Sequence, residues 1–169
     1  KTPKQLEELF NEKMAQYGMS MDLDGEGSAR DNSGKRIVPI ACEDGSKILC
    51  SYSLYGRGSN SRIVSLKFEQ ELSGRENETV YLEPLLAFVM DEFAPKMTQN
   101  KDESFEPITS ETYNGALQVC REFIEGDETE QYIYISPEDD DAFAVTFERK
   151  TDEKTMLSVR FHLFNPYSS

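Results

Sequence analysis

Apolar positions along this chain follow two rhythms, one of about 3.6 residues and one of two, and their order predicts the fold. Thr2 and Pro3 form a helix start, as N-cap and first helical residue. Leu6, Leu9, Phe10, Met14 and Tyr17 then recur at helical spacing until Gly18 supplies a stop. Directly afterwards the rhythm shortens. Met19, Met21 and Leu23 alternate with Ser20, Asp22 and Asp24, the period of a half-buried strand, and the polar, glycine-rich stretch from Gly25 to Lys35 predicts a loop.

Three further strand-like runs cover residues 36–42, 47–55 and 62–72. In the last of them Val64, Leu66 and Phe68 alternate with Ser65, Lys67 and Glu69, so one face meets a core and the other meets water. Hairpin chemistry at residues 43–46 and 56–61 makes these runs an antiparallel meander. Pro39, which has no N–H to donate, predicts an edge or a bulge in its strand. Residues 82–94 are apolar around most of a helix, with Pro84 tolerated only in the first turn, which predicts the most buried helix of the molecule. A polar linker over residues 98–109 leads to a third helix, whose apolar face is Tyr113, Ala116, Leu117, Cys120 and Ile124 and whose end is Gly126. Strand-like runs close the chain at residues 131–136, 142–149 and 156–164. Their apolar sets need a common cover, which the three helices supply if they lie together on one face of the sheet. The expectation is a single α+β domain over residues 1–169, with a largely antiparallel sheet of about seven strands. Its halves, 1–79 and 80–169, read as diverged helix-plus-meander units.

Length and charge narrow the function. A chain of 169 residues is long enough to bury about 70% of its unfolded surface. Ten Phe and eight Tyr supply a core that a disordered acidic tail would lack. With 18 basic against 32 acidic side chains the net charge is −14, which argues against nucleic-acid binding, repels an anionic membrane surface, and favours a basic partner or divalent cations. No apolar run reaches the roughly 18 residues of a membrane-spanning helix. The start at Lys1 in place of Met predicts that an upstream segment, such as a signal peptide or an anchor, has been removed.

Candidate chemistry is sparse. Cys42, Cys50 and Cys120 lack zinc spacing. Tight-hairpin registers put Cys42 and Cys50 on opposite faces or on a diagonal, so buried, unreactive thiols are expected. Asp22, Asp24 and Glu26 alternate before Gly27 like the first half of a calcium loop, but Ser33 stands where such a loop needs its bidentate Glu, which makes these three weak metal candidates. The run Glu138 to Asp141 concentrates four carboxylates, a weak site for a divalent ion or a basic partner. His162 is the sole histidine, no GxSxG elbow is present, and Gly56-Arg57-Gly58 lacks the following helix of a phosphate loop. Asn77-Glu78-Thr79 fits a glycosylation sequon. No cofactor is expected.

Strand parity offers a binding surface instead. If Ile133 and Ile135 point inward, then Tyr132 and Tyr134 stand on the outer face, together with Ser158, Arg160, His162 and Phe164 of the last strand and with Tyr55 of the first meander. Tyrosine and arginine suit interfaces because they bury a large area while keeping a polar handle. The opening Thr2-Pro3-Lys4-Gln5-Leu6 with Phe10-Asn11, the hairpin strands, the apolar helix from Leu82 to Phe93 and a second helix before a final meander resemble uncharacterised lipoprotein domains exported by Gram-positive bacteria. Their architecture is similar to the tandem helix-and-sheet units of the β-lactamase inhibitory protein family. The resemblance implies an extracellular binding module tethered at its N-terminal side and carries over no catalytic residue. The expected function is therefore non-enzymatic binding of a protein or surface ligand outside the cell. The alternative is an acidic intracellular inhibitor or immunity protein that fills a basic cleft, and a carboxylate-pair hydrolase has only composition behind it.

Overall fold

A computed structural model describes residues 1–30, 32, 34–58, 61–74, 77–93, 97–99, 105–107, 110–134, 144–151 and 154–163. Helix α1, Pro3–Met14, begins as its sequence dictates: the Thr2 hydroxyl accepts from the Gln5 N–H at 3.3 Å, and the Gln5 side chain accepts from the Thr2 N–H at 2.9 Å. A 3-10 turn, Ala15–Tyr17, finishes the helix at Gly18, whose φ of 74° suits glycine and where an added Cβ would meet the Glu43 side chain at 2.8 Å. The chain then enters β1, Met19–Met21, the outermost strand at that side of the sheet. Asn11 of α1 satisfies its free edge: the side chain donates to the Met21 carbonyl at 2.9 Å and accepts from the Met21 N–H at 2.8 Å.

The main sheet runs in the order β1, β3 (Arg36–Cys42), β4 (Lys47–Tyr55), β5 (Arg62–Leu72), β10 (Thr155–His162), β9 (Ala144–Lys150), β8 (Glu130–Tyr134), with every pairing antiparallel. The short β2, Ala29–Arg30, pairs with β3 beside β1. Two meanders, β3-β4-β5 and β8-β9-β10, thus meet through their last strands, and an α+β fold with a largely antiparallel sheet is what the periodicity predicts. β2 was hidden in the polar loop. So was the hairpin of β6, Met97–Gln99, and β7, Phe105–Pro107, which occupies the stretch expected to be a linker.

All three helices cover one face. Phe10 of α1 stacks on Phe68 of β5 with ring centres 6.3 Å apart, and Phe88 of α2 (Leu82–Glu92) meets Phe10 edge-on at 5.5 Å. Phe123 of α3 (Ser110–Glu125) lies 5.4 Å from Phe147 of β9. Phe68 and Phe147 both pair with Val159, so these contacts share a side of the sheet. Helix α2 is buried at Leu82, Leu85, Leu86, Phe88, Val89 and Met90, and it sits at the centre of the core as expected. The α3 face is anchored chiefly by Ala116, Cys120 and Phe123; the predicted Tyr113 side chain lies outside the described part.

Polar groups on the inner side hold the corners. Arg149, in register with buried Leu157, reaches from β9 to the C-terminal turn of α3, donating to the Phe123 carbonyl at 2.9 Å and the Gly126 carbonyl at 2.7 Å. Its guanidinium also covers the Phe123 ring at 5.0 Å. Glu78, buried in the 3-10 turn before α2, accepts from the Ser73 N–H, the Ser73 hydroxyl and the Gly74 N–H, each at 2.9 Å. This is the Glu of the Asn77-Glu78-Thr79 sequon.

The proline expectation needs correction. β3 is an interior strand, flanked by β1 and β4, and Pro39 sits in register with Leu49. What spares Pro39 a lost hydrogen bond is a break in the neighbouring edge, because β1 pairs with residues 40–42 and β2 with residues 36 and 37. The loop across that break passes close, since a Cβ on Gly27, whose φ is 90°, would lie 3.1 Å from the Pro39 ring.

Candidate functional site

The register spells out what faces away from the helices. One row crosses six strands as Ile37, Ser51, Lys67, Arg160, Thr146 and Tyr132, each in register with the next. A second row runs Ser53, Ser65, His162, Ala144, Tyr134. Tyr132 and Tyr134 therefore occupy the parity of Arg160 and His162, on the edge strand β8. Ser158 shares that parity too. Phe164 lies outside the described residues, as does the acidic run from Glu138 to Asp141. Tyr55 is half exposed at the end of β4, but a register shift between Ser53 and Leu54 keeps it from continuing the His162 row.

Charges on this face are unevenly engaged. Lys67 pairs with Glu69 at 3.0 Å, and the Ser158 hydroxyl donates to the same carboxylate at 3.1 Å. The half-buried Arg160 guanidinium meets no acceptor among the described residues. The His162 pKa is held below its usual value, first by the part of its ring that lies against the sheet and then by the charges of Arg160 and Lys35. The centre of the face thus sets Lys67 and Arg160 beside the carboxylates of Glu69 and Glu148.

The aspartate loop does not assemble a cation site. Asp22 turns its carboxylate onto the Asp24 N–H at 3.0 Å, and its carbonyl accepts from the Gly25 N–H at 3.2 Å and the Ser28 hydroxyl at 2.9 Å. Among the described residues no group of three His, Cys, Asp or Glu side chains stands close enough to share a metal ion, so Asp22, Asp24 and Glu26 are not brought together. The cysteines are free. Cys42 and Cys50 share the inward face, not opposite faces, but Cys50 pairs with Val38, four residues along β3 from Cys42, and about 13 Å of strand separates them. Burial pushes the Cys42 thiol up to about 11, with Asp44 adding to the rise, and the Cys120 thiol up to about 12; Cys50 is raised by burial alone.

A cavity that the strand rhythm gave no hint of lies at the other end of the first meander. It measures about 750 Å³ and sits between the first turn of α1, the connection after β1, the start of β3 and the end of β4. Among the described residues Lys4, Arg30, Lys35 and Arg36 line it together with the carboxylates of Glu7 and Asp24. Tyr52, in register with Arg36, forms part of its wall. Burial raises the Tyr52 phenol, and the nearby charges of Arg36 and Arg30 oppose that rise. One Arg36 Nη donates to the Leu23 carbonyl at 2.8 Å, while its buried Nε has no acceptor among the described residues. Glu7 is already engaged, accepting from the Leu23 N–H at 2.7 Å. The available signal in the sequence was the cluster Arg30, Lys35, Arg36, three cations within seven residues of an acidic chain.

No helix among the described residues is long and apolar enough to cross a membrane. No family model matches the chain, and no curated protein or solved structure does either.

Proposed function

We propose that the chain is a binding domain rather than an enzyme, and that it holds a protein partner against the open face of its sheet. The observation that carries this reading is the outward row from Ile37 to Tyr132, six strands wide, laid on the side opposite all three helices. Its central guanidinium, Arg160, is half-buried and has no acceptor among the described residues, while the neighbouring Glu69 is already bound by Lys67 and Ser158. A partner that presents a carboxylate there would complete a charge-assisted hydrogen bond. Positions 132 and 134 continue the same register parity onto the edge strand β8. An exported or cell-surface setting, with a lipid tether on the N-terminal side, rests on the resemblance in element order. The buried Cys50 and Cys120 are compatible with it, because a protonated, covered thiol is slow to oxidise.

The test places a photoreactive side chain at position 51, on the outer row, and in a second sample at position 8, on the exposed side of α1. A cross-linked protein is expected from position 51 only. Its purified form should bind Arg160→Glu at least roughly tenfold more weakly than the parent chain. Absence of a product from position 51, or a complex indifferent to Arg160→Glu, overturns the proposal.

A further inference from the structure

The outward face carries another row beside the one from Ile37 to Tyr132, and the two are opposite in charge. Pro39, Leu49, Glu69, Ser158 and Glu148 stand in register there, two residues along each strand from the first row. The first row has the cations Lys67 and Arg160 at its centre, and the second has the carboxylates of Glu69 and Glu148, about 6.8 Å along the strands. At the β3 and β4 side both rows turn apolar, with Ile37 in one and Pro39 and Leu49 in the other. Leu49 is 42% exposed and the Glu148 side chain is likewise 42% exposed, so the carboxylate row is open to contact at both of its ends.

Such a pattern is complementary to itself. A two-fold axis in the plane of contact, parallel to the rows and midway between them, lays the cationic row of one copy over the carboxylate row of another and keeps each strand opposite its own counterpart. Leu49 then falls over Ser51 of the second copy, where Ile37, Lys67 and Glu69 line a hollow of about 170 Å³. Arg160 falls over Ser158 of the second copy, at a hollow of about 50 Å³ that Glu148 also lines. Within its own chain Arg160 meets no acceptor among the described residues, and Glu148 pairs loosely with Lys150 at 3.9 Å. The two-fold supplies each with a charge of opposite sign, once on either side of the axis.

We infer that the partner held on the sheet face is a second copy of this chain, in a face-to-face dimer closed by reciprocal Arg160–Glu148 pairs. The inference rests on the sheet-face reading and names its partner. Two sheets packed in this way bury their facing side chains in a layer about 10 Å thick. Six strands about 4.8 Å apart, with four outward rows about 6.8 Å apart, cover roughly 600 Å² per copy, or about 1,200 Å² for the pair, the lower end of specific interfaces. Two chains of net charge −14 repel at long range, which weakens the association further. The dimer therefore comes apart on dilution, and the dilute monomer keeps its face open to solvent.

The test is sedimentation velocity of the pure full chain from about 10 µM to about 1 mM, where a shift from monomer to dimer is expected. This measurement needs no substitution. Arg160→Glu and Glu148→Arg each set like charges against each other across the axis, and each should weaken the dimer at least roughly tenfold. An equimolar mixture of the two variants restores both opposed pairs and should associate within about threefold of the parent chain. Glu8→Arg, on the exposed side of α1, changes the net charge as Glu148→Arg does and should alter the dimer less than about twofold. A monomer at every concentration, a dimer indifferent to both reversals, or a mixture no stronger than its components overturns the inference. Cross-linking from position 51 separates it from the reading beneath it. A product of two copies of this chain agrees with the inference, a product with a different protein overturns it and leaves the sheet-face reading standing, and no product at all overturns both.

Discussion

Two neighbours on β10 give the sharpest consequence of the two-faced sheet. Phe161 is fully buried, in register with Leu66 and Val145, and meets Phe68 edge-on with ring centres 6.3 Å apart. Arg160, one residue earlier, points the other way. Phe161→Ala removes a large apolar side chain from a packed site and leaves a cavity, which costs about 3–5 kcal/mol, including roughly 1 kcal/mol of edge-to-face attraction. Arg160→Ala deletes a side chain with no acceptor among the described residues and loses packing of its stem, under about 1 kcal/mol. For a chain of 169 residues each kcal/mol moves the melting temperature by about 2–4 °C, so Phe161→Ala should melt roughly 6–20 °C lower and Arg160→Ala less than about 4 °C lower. Urea unfolding with a common m value measures both. Equal losses in the two variants would refute the assignment of faces.

Three further expectations follow from named contacts. Arg149→Lys keeps the charge but loses the fork that spans the Phe123 and Gly126 carbonyls, and urea titration should show a loss of about 2 kcal/mol. Glu78→Gln replaces an acceptor of three donors with a group that must turn an NH₂ toward Ser73 or Gly74, costing about 2 kcal/mol in the same assay; an unchanged midpoint would mean that the turn before α2 does not depend on this carboxylate. In an NMR titration His162 should lose its proton below the ordinary value of 6.5, and Arg160→Ala should raise that midpoint without restoring it fully, because desolvation is the larger cause. A midpoint unmoved by Arg160→Ala would separate the two side chains.

The features legible in the sequence are those that repeat along a single element. The Thr2-to-Gln5 cap, the α1 stripe through Leu6, Phe10 and Met14, and the alternation of Leu66 and Phe68 with Lys67 and Glu69 each depend on residues a few positions apart. They emerge where the periods place them. Pro39 shows the limit of such reasoning: its lack of a donor is local, but the break that accommodates it is made by β1 and β2, elsewhere in the chain. Likewise the β6 and β7 hairpin is built from short strands without a sustained alternation. The cationic cavity was illegible for a related reason. Net charge sums over the whole surface, whereas Lys4 of α1 comes to line one cavity with Arg30 and Arg36 only in the folded chain. Arg149 left a fainter trace, a charged residue at the parity of Val145 and Phe147, and such a misfit between period and residue type signals a structural clip as readily as a site.

The orientation of the sheet can be measured in one experiment. A soluble paramagnetic agent added to methyl-labelled protein should strongly broaden Leu49 and Thr146, on the outer face, and spare Val145, Leu157 and Val159, which lie under the helices. Protection of Leu49 and Thr146 to the same degree as Val159 would contradict an open face and leave a partner no surface to occupy.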